Sequence, residues 1–248
     1  PLRRFPPLGG DQAVREPVRT GFALAMDALG GSDAAVQAFA PLGALDEQQR
    51  SVYAVMAARG INSPFTSSMG RLFDGVSALL GICGRAEYEA QGPIELEGLL
   101  QRDLEPVEPG GYQVVRQPGA GPVELDWRPL IRALAADVAA GIAPDVISRR
   151  FHSGIVAMVI AQCEAIRRQY GVDQVVLSGG VFLNEFLLVN CLVGLRRAGF
   201  AAYCHELVPT NDGGISLGQV MVASARRQAR RQDARPNDTN VPAQVNRR

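Results

Sequence analysis

Val175-Val176-Leu177-Ser178-Gly179-Gly180-Val181-Phe182-Leu183-Asn184 is the stretch on which the fold class turns. The run Gln174–Leu177 is short, apolar and β-branched, as a buried strand requires. A glycine pair ends it, and a helical pattern opens at Asn184 and continues to about Ala198. Glycines admit positive φ and let backbone approach a ligand closely. With a helix N-terminus behind it, such a turn exposes amides suited to phosphate oxygens. A tight strand-to-helix turn with no ligand has the same pattern. A second copy lies downstream: Ala201–Cys204 reads as a strand, and Pro209-Thr210-Asn211-Asp212-Gly213-Gly214-Ile215 leads into a helix to about Ala225. Asp212 is suited to a divalent cation, or to its water, beside a phosphate; an Asx-type helix cap is the plain alternative. Two glycine loops at the carboxyl ends of neighbouring strands favour a shared phosphate-binding cleft, because ligands of open α/β sheets gather at that edge.

Upstream the pattern is mainly helical. The proline- and glycine-rich residues Pro1 to Gln12 read as an entering loop. Helices are expected over Val14–Leu29, from Ser32, over Asp46–Arg59, from a Ser67 or Ser68 cap to Leu80, and over Pro93–Gln101. Tyr112–Val115 reads as a strand between loops at 106–111 and 118–122. Helices follow over Trp127–Ala140 and from Pro144 to about Gln169. Strands alternating with helices predict an α/β core with helical insertions, spanning residues 1–226. Beyond about Arg227 apolar residues nearly vanish, and 227–248 is expected to be a disordered basic tail. No repeat recurs at a fixed period.

Composition removes several function classes. Hydrophobic residues make up 47% and charged residues 20%, with a formal net charge of +0, so nothing points to nucleic acid or an anionic membrane. All basic residues are arginines, which excludes a P-loop lysine and lysine Schiff-base chemistry. Cys83, Cys163, Cys191 and Cys204 are scattered, without a Cys-x-x-Cys pair or a histidine cluster, so neither a zinc site nor a disulfide framework is expected. With no signal peptide and no membrane-length apolar run, a reducing cytoplasmic setting is the expectation.

Other polar residues have ordinary explanations when taken singly. Asp74 follows Arg71 by three positions, the spacing of a surface ion pair on a helix. Glu95 stands near a helix N-terminus, where the dipole favours a carboxylate anyway. His152 and His205 are far apart in sequence and read as structural histidines.

Several stretches in order resemble the C-terminal part of the HypF carbamoyltransferase family. They are Gly9-Gly10-Asp11-Gln12-Ala13-Val14-Arg15-Glu16-Pro17, Asn62-Ser63-Pro64-Phe65-Thr66-Ser67-Ser68-Met69-Gly70-Arg71-Leu72-Phe73-Asp74, and Tyr88-Glu89-Ala90-Gln91-Gly92-Pro93-Ile94-Glu95-Leu96-Glu97. Phe151-His152, the Ser178–Asn184 loop and Asn211-Asp212-Gly213-Gly214-Ile215-Ser216-Leu217-Gly218-Gln219 complete the set. The resemblance implies the second lobe of a threonylcarbamoyl-transferase-like domain, an actin/Hsp70-like (ASKHA) ATP-binding α/β fold. It implies an enzyme that uses carbamoyl phosphate and ATP to carbamoylate the C-terminal cysteine of a HypE-type acceptor during [NiFe]-hydrogenase maturation. By motif, Gly179, Gly180 and Asn184 would contact nucleotide, Asp74, Gly92 and Glu95 would line its adenosine and ribose side, and Asp212 would join a site for Mg, Zn or Fe. The sequence also departs from the family pattern. The histidine pair of that metal site and the Asp-Gly-rich phosphate loop of the first lobe are absent, so the chain is expected to be a fragment, inactive alone. Alternatives are a related threonylcarbamoyl or O-carbamoyl transferase and a non-catalytic nucleotide-binding or docking module. A sugar or acetate kinase would need a carboxylate base that the sequence does not reveal.

Overall fold

The computed structural model describes residues 1–101, 103–106, 111–117 and 123–233. The expected loops at 107–110 and 118–122, and the expected tail beyond 233, lie outside the described residues. The N-terminal segment is the expected loop, and it is tied into the core. Leu2, Phe5 and Leu8 are buried, and Phe5 exchanges two backbone hydrogen bonds with Thr66, each 3.0 Å. The helix expected from Val14 is divided into α1 (Gln12–Arg15) and α2 (Pro17–Leu29). Pro17 has no N–H to continue the first helix, but its fixed φ suits the first position of the next. Gly30, at φ 87°, ends α2 in a left-handed cap.

There follow α3 (Ser32–Ala38), a 3-10 turn at Ala40–Ala44, and α4 (Glu47–Arg59), which opens on a reciprocal capping box of Asp46 and Gln49. Helix α5 (Met69–Leu79) is capped by Ser68 and buries every residue from Leu72 to Leu79. It crosses α2 where Gly21 faces Gly75: a methyl group on Gly21 would lie 3.0 Å from the Gly75 carbonyl oxygen. Glycine at both positions lets the two backbones touch, which is why α5 sinks into the core. Helix α6 (Gln91–Gly98) begins two residues before the expected Pro93.

Strands β1 (Val115–Gln117) and β2 (Glu124–Asp126) form a short antiparallel pair. The strand expected at Tyr112–Val115 is thus displaced. Tyr112 is instead docked on a later helix, its amide donating to the Arg150 carbonyl at 3.1 Å and its hydroxyl to Asp137. Helix α7 (Arg128–Ala139) follows Trp127, which is fully buried against the edge of Phe5 and donates its indole N–H to the Arg3 carbonyl at 2.8 Å. The long α8 (Pro144–Tyr170) then leads to β3 (Gln174–Leu177), α9 (Glu185–Arg197) and β4 (Ala201–Cys204). The two strands are parallel, Val176 opposite Tyr203, with α9 as the crossover between them.

Helix α10 (Ile215–Asp233) extends past the expected end near Ala225. Residues 215–230 are exposed, including Val220 and Met221 at 63% each, and Val176 and Tyr203 lie open on the outer face of the sheet. The described residues therefore form a mostly helical α/β domain with one core and an uncovered apolar side.

Candidate functional site

The two glycine loops meet as the sequence predicts. Gly179, at φ 106°, donates its amide to the Thr210 carbonyl at 2.9 Å, and Thr210 Oγ1 donates back to the Gly179 carbonyl at 3.2 Å. A 3-10 turn at Gly180–Leu183 then places Asn184 at the cap of α9. Between this turn and helices α5 and α6 lies a cavity of about 380 Å³. Gly180, Val181, Asn184 and Asn211 line one side; Arg71, Phe73, Ile94 and Glu97 are among the residues opposite. A larger, shallow depression of about 540 Å³ between α3 and α4 contains none of the candidate residues.

The structure corrects the phosphate reading of the α9 N-terminus. Its first amides are already taken: Glu97 Oε1 accepts from Glu185 and Phe186 at 2.6 and 3.4 Å, and Asn184 Oδ1 accepts from Leu187 at 2.9 Å. A carboxylate from α6 thus occupies the place where an anion would sit. Burial holds Glu97 above the usual carboxylate range, and those two amides pull it back. The amides of Gly180 and Val181, which have no intrahelical acceptor at the start of a helical turn, find none among the described residues. They remain the donors available to an anion at this turn. Glu97 is a site residue that spacing did not reveal.

Asp74 and Gly92 meet where α5 and α6 pack together, and neither they nor Glu95 is among the residues that line the cavity. Their helices approach at Gly92, where a methyl group would lie 3.1 Å from Ser77 Oγ and 3.6 Å from Asp74 Oδ1. The ion pair expected at the surface is buried on the Asp74 side. Arg71 Nη1 lies 2.8 Å from Asp74 Oδ2, and the aspartate side chain is 4% exposed. The contact is off the line of a hydrogen bond, and neither of these atoms nor Ser77 Oγ has a hydrogen-bond partner among the described residues. Burial pushes the Asp74 carboxyl up to about 6, against the pull of Arg71. Glu95 accepts from Gln91 Nε2 at 2.7 Å, while Gln91 Oε1 takes the Glu87 amide at 2.8 Å.

Asp212 sits in a short 3-10 turn capped by Asn211, whose side chain accepts from the Gly213 amide. It is exposed, and among the described residues no three His, Cys, Asp or Glu side chains converge on a common point. His205 meets Ser178 Oγ at 2.9 Å on the surface, whereas His152 is fully buried and bonded to Asn184. No cysteine stands ready as a nucleophile in the cavity. Cys83 and Cys191 are buried, and burial raises the thiols of Cys83, Cys163 and Cys191, the last to about 12.

Residues 1–219 match the family described as carbamoyltransferase, Kae1-like domain, second subdomain. The chain is 34% identical over 247 residues to carbamoyltransferase HypF2 of Cupriavidus necator, covering 91% of this chain and 29% of that protein. It is 35% identical to carbamoyltransferase HypF of Rhodobacter capsulatus, again covering 91% of this chain but 28% of the relative. Among solved structures it is similar to full-length HypF in its phosphate- and nucleotide-bound form, with a TM-score of 0.77, 31% identity, and coverage of 90% of this chain and 33% of that one. The chain belongs to the HypF carbamoyltransferase family and spans under a third of the length of these relatives. No helix among the described residues is long and apolar enough to cross a membrane.

Proposed function

We propose that this chain is the nucleotide-binding second lobe of the Kae1-like domain of a HypF-type carbamoyltransferase. It belongs, on this reading, to the actin/Hsp70-like ATP-binding architecture and acts in carbamoyl transfer to the C-terminal cysteine of a HypE-type acceptor in hydrogenase maturation. The observation that carries the reading is the cavity formed where the stitched glycine loops face α5 and α6. The likeness to a HypF structure described as phosphate- and nucleotide-bound supports it. Main-chain donors at Gly180 and Val181 suit phosphate oxygens, whose developing charge as adenylate leaves would be met by fixed dipoles. No cysteine is among the residues that line the cavity, so the nucleophile is assigned to the acceptor protein rather than to this chain.

Asp212 would be a metal ligand in the family reading, but one exposed carboxylate does not make a site. The described residues alone do not complete a metal centre. The apolar strip on α10 and the open face of β3–β4 fit packing against the rest of a longer HypF chain.

Calorimetry with ATP on this chain, and on a chain extended upstream through the first lobe, tests the reading. Binding by the extended form that is lost in Asn184→Ala is the expected result. Absence of binding by both forms would return the glycine loops to plain structural turns and favour a docking module.

A further inference from the structure

His152 on α8 has no exposed surface and is boxed by the ring edges of Phe73, Phe151 and Phe186 at centroid distances of 5.3, 5.6 and 5.5 Å. Its Nδ1 lies 2.8 Å from the Ser148 carbonyl oxygen and 3.3 Å from Ser148 Oγ. The Ser148 hydroxyl proton is directed to the Leu96 carbonyl at 2.7 Å, so both Ser148 oxygens face Nδ1 as acceptors. Nδ1 must then carry the ring proton, which leaves Nε2 as an acceptor. Asn184 Nδ2, 3.0 Å away, is the matching donor.

This fixes the Asn184 amide from both ends. Its oxygen takes the Leu187 amide at 2.9 Å, and one Nδ2–H goes to His152. A flipped amide would set its oxygen against the Nε2 lone pair and its NH₂ against the Leu187 N–H, losing two buried hydrogen bonds. Burial lowers His152 to about 4, with Arg149 adding to the push, so the ring stays neutral at physiological pH. Asn184 itself lines the cavity, and its second Nδ2–H is not committed to either partner.

We propose that His152 is a positioning residue: its Nδ1–H tautomer locks the Asn184 amide so that the cavity is offered an N–H, and the ligand atom met there is a hydrogen-bond acceptor. The inference rests on the nucleotide reading of that cavity. It assigns His152 no contact with ligand or reacting atoms.

The test is ¹⁵N NMR on the 248-residue chain and on the chain extended upstream through the first lobe, reading the His152 ring nitrogens and the Asn184 side-chain NH₂ before and during titration with ATP. The expected spectrum has a protonated Nδ1 and an unprotonated Nε2, with the Asn184 NH₂ moving as ATP is added. His152→Leu, which removes the acceptor, should weaken ATP binding about tenfold, the loss of roughly one oriented hydrogen bond. His152→Gln, whose Oε1 can stand in for Nε2, should restore most of that affinity, a rescue that filling the space alone would not give. An Nε2–H tautomer in the wild type overturns the proposal whatever ATP does. So does intact ATP binding in His152→Leu when Asn184→Ala has lost it, an outcome that leaves the nucleotide reading standing. If the wild type and Asn184→Ala respond identically to ATP in both forms, the nucleotide reading falls, and the proposal with it.

Discussion

Replacing Asp74 by Asn should stabilise this protein at neutral pH. The Asp74 side chain is 4% exposed and its carboxyl is raised from 3.8 to about 6. Between those values the folded state holds a proton that the unfolded state has released. The stability associated with the raised pKa is therefore fully present below about pH 3.8 and lost as the pH climbs through about 6. A shift of roughly two units corresponds to about 3 kcal/mol between the protonated and fully ionised limits. Roughly half of that, about 1.5 kcal/mol, falls between about pH 5 and about pH 8. Asn presents nearly the same shape without a charge to desolvate, and Arg71, whose side chain is 21% exposed, can turn toward water. Urea unfolding followed by the fluorescence of Trp127, the single tryptophan, should show Asp74→Asn gaining on the wild type as pH rises from about 5 to about 8, by about that amount. His152 runs the other way: its lowered value makes stability fall as pH drops from about 6.5 toward about 4. Comparing variant with wild type at each pH cancels that contribution. A difference that does not change with pH, or a variant less stable than the wild type at about pH 8, would refute the reasoning.

Two helix glycines should respond to alanine in opposite ways. A methyl group on Gly154 would lie 2.1 Å from the Tyr112 carbonyl oxygen, backbone that cannot yield without breaking the Tyr112 contacts, so Gly154→Ala should destabilise by about 1–3 kcal/mol or more in urea unfolding. On Gly194 the nearest atom is Ile160 Cδ1, the movable end of a side chain, so Gly194→Ala should be neutral or stabilise by up to about 1 kcal/mol from helix propensity. Charging the open strip of α10, with Val220→Asp and Met221→Asp together, should reduce self-association in light scattering without changing the unfolding midpoint, because neither residue is buried in the core.

Most of the element order was legible because each element carries its own local punctuation. Gly30 and Gly60 end α2 and α4 in left-handed caps, Asp46 and Ser68 open α4 and α5, and Pro144 opens α8. The turn from β3 to α9 was legible for the same reason. Pairings across the chain left no such trace. Glu97 reaches the α9 N-terminus from 88 residues away, and His152 reaches Asn184 from 32. No periodicity records those contacts, so the α9 N-terminus read as a free anion site when it is already occupied. The N-terminal segment is the loop that its prolines and glycines signal, but composition does not show that Phe5 and Leu8 within it are core residues. Strand β2, only Glu124–Asp126, is too short to show alternation.

The polar groups around the cavity are not distributed evenly, and the asymmetry bears on what it would hold. On the glycine-loop side the uncommitted groups are donors: the Gly180 and Val181 amides and, on the His152 argument, one N–H of Asn184. On the α5–α6 side the carboxylates gather: Glu89 and Glu97 line the cavity, and buried Asp74 is paired with Arg71, which lines it too. A buried polar atom without a partner costs about 1–3 kcal/mol, and Ser77 Oγ is one such atom on this second side, beside the Arg71–Asp74 ion pair. A purely structural wall would gain from replacing them with apolar groups of the same shape. A ligand with acceptors at one end and hydroxyl or amino donors at the other would instead use both sides at once. A nucleotide has that polarity, with phosphate oxygens suited to the Gly180 and Val181 amides and hydroxyls suited to Glu89 and to the Glu97 oxygen that does not cap α9.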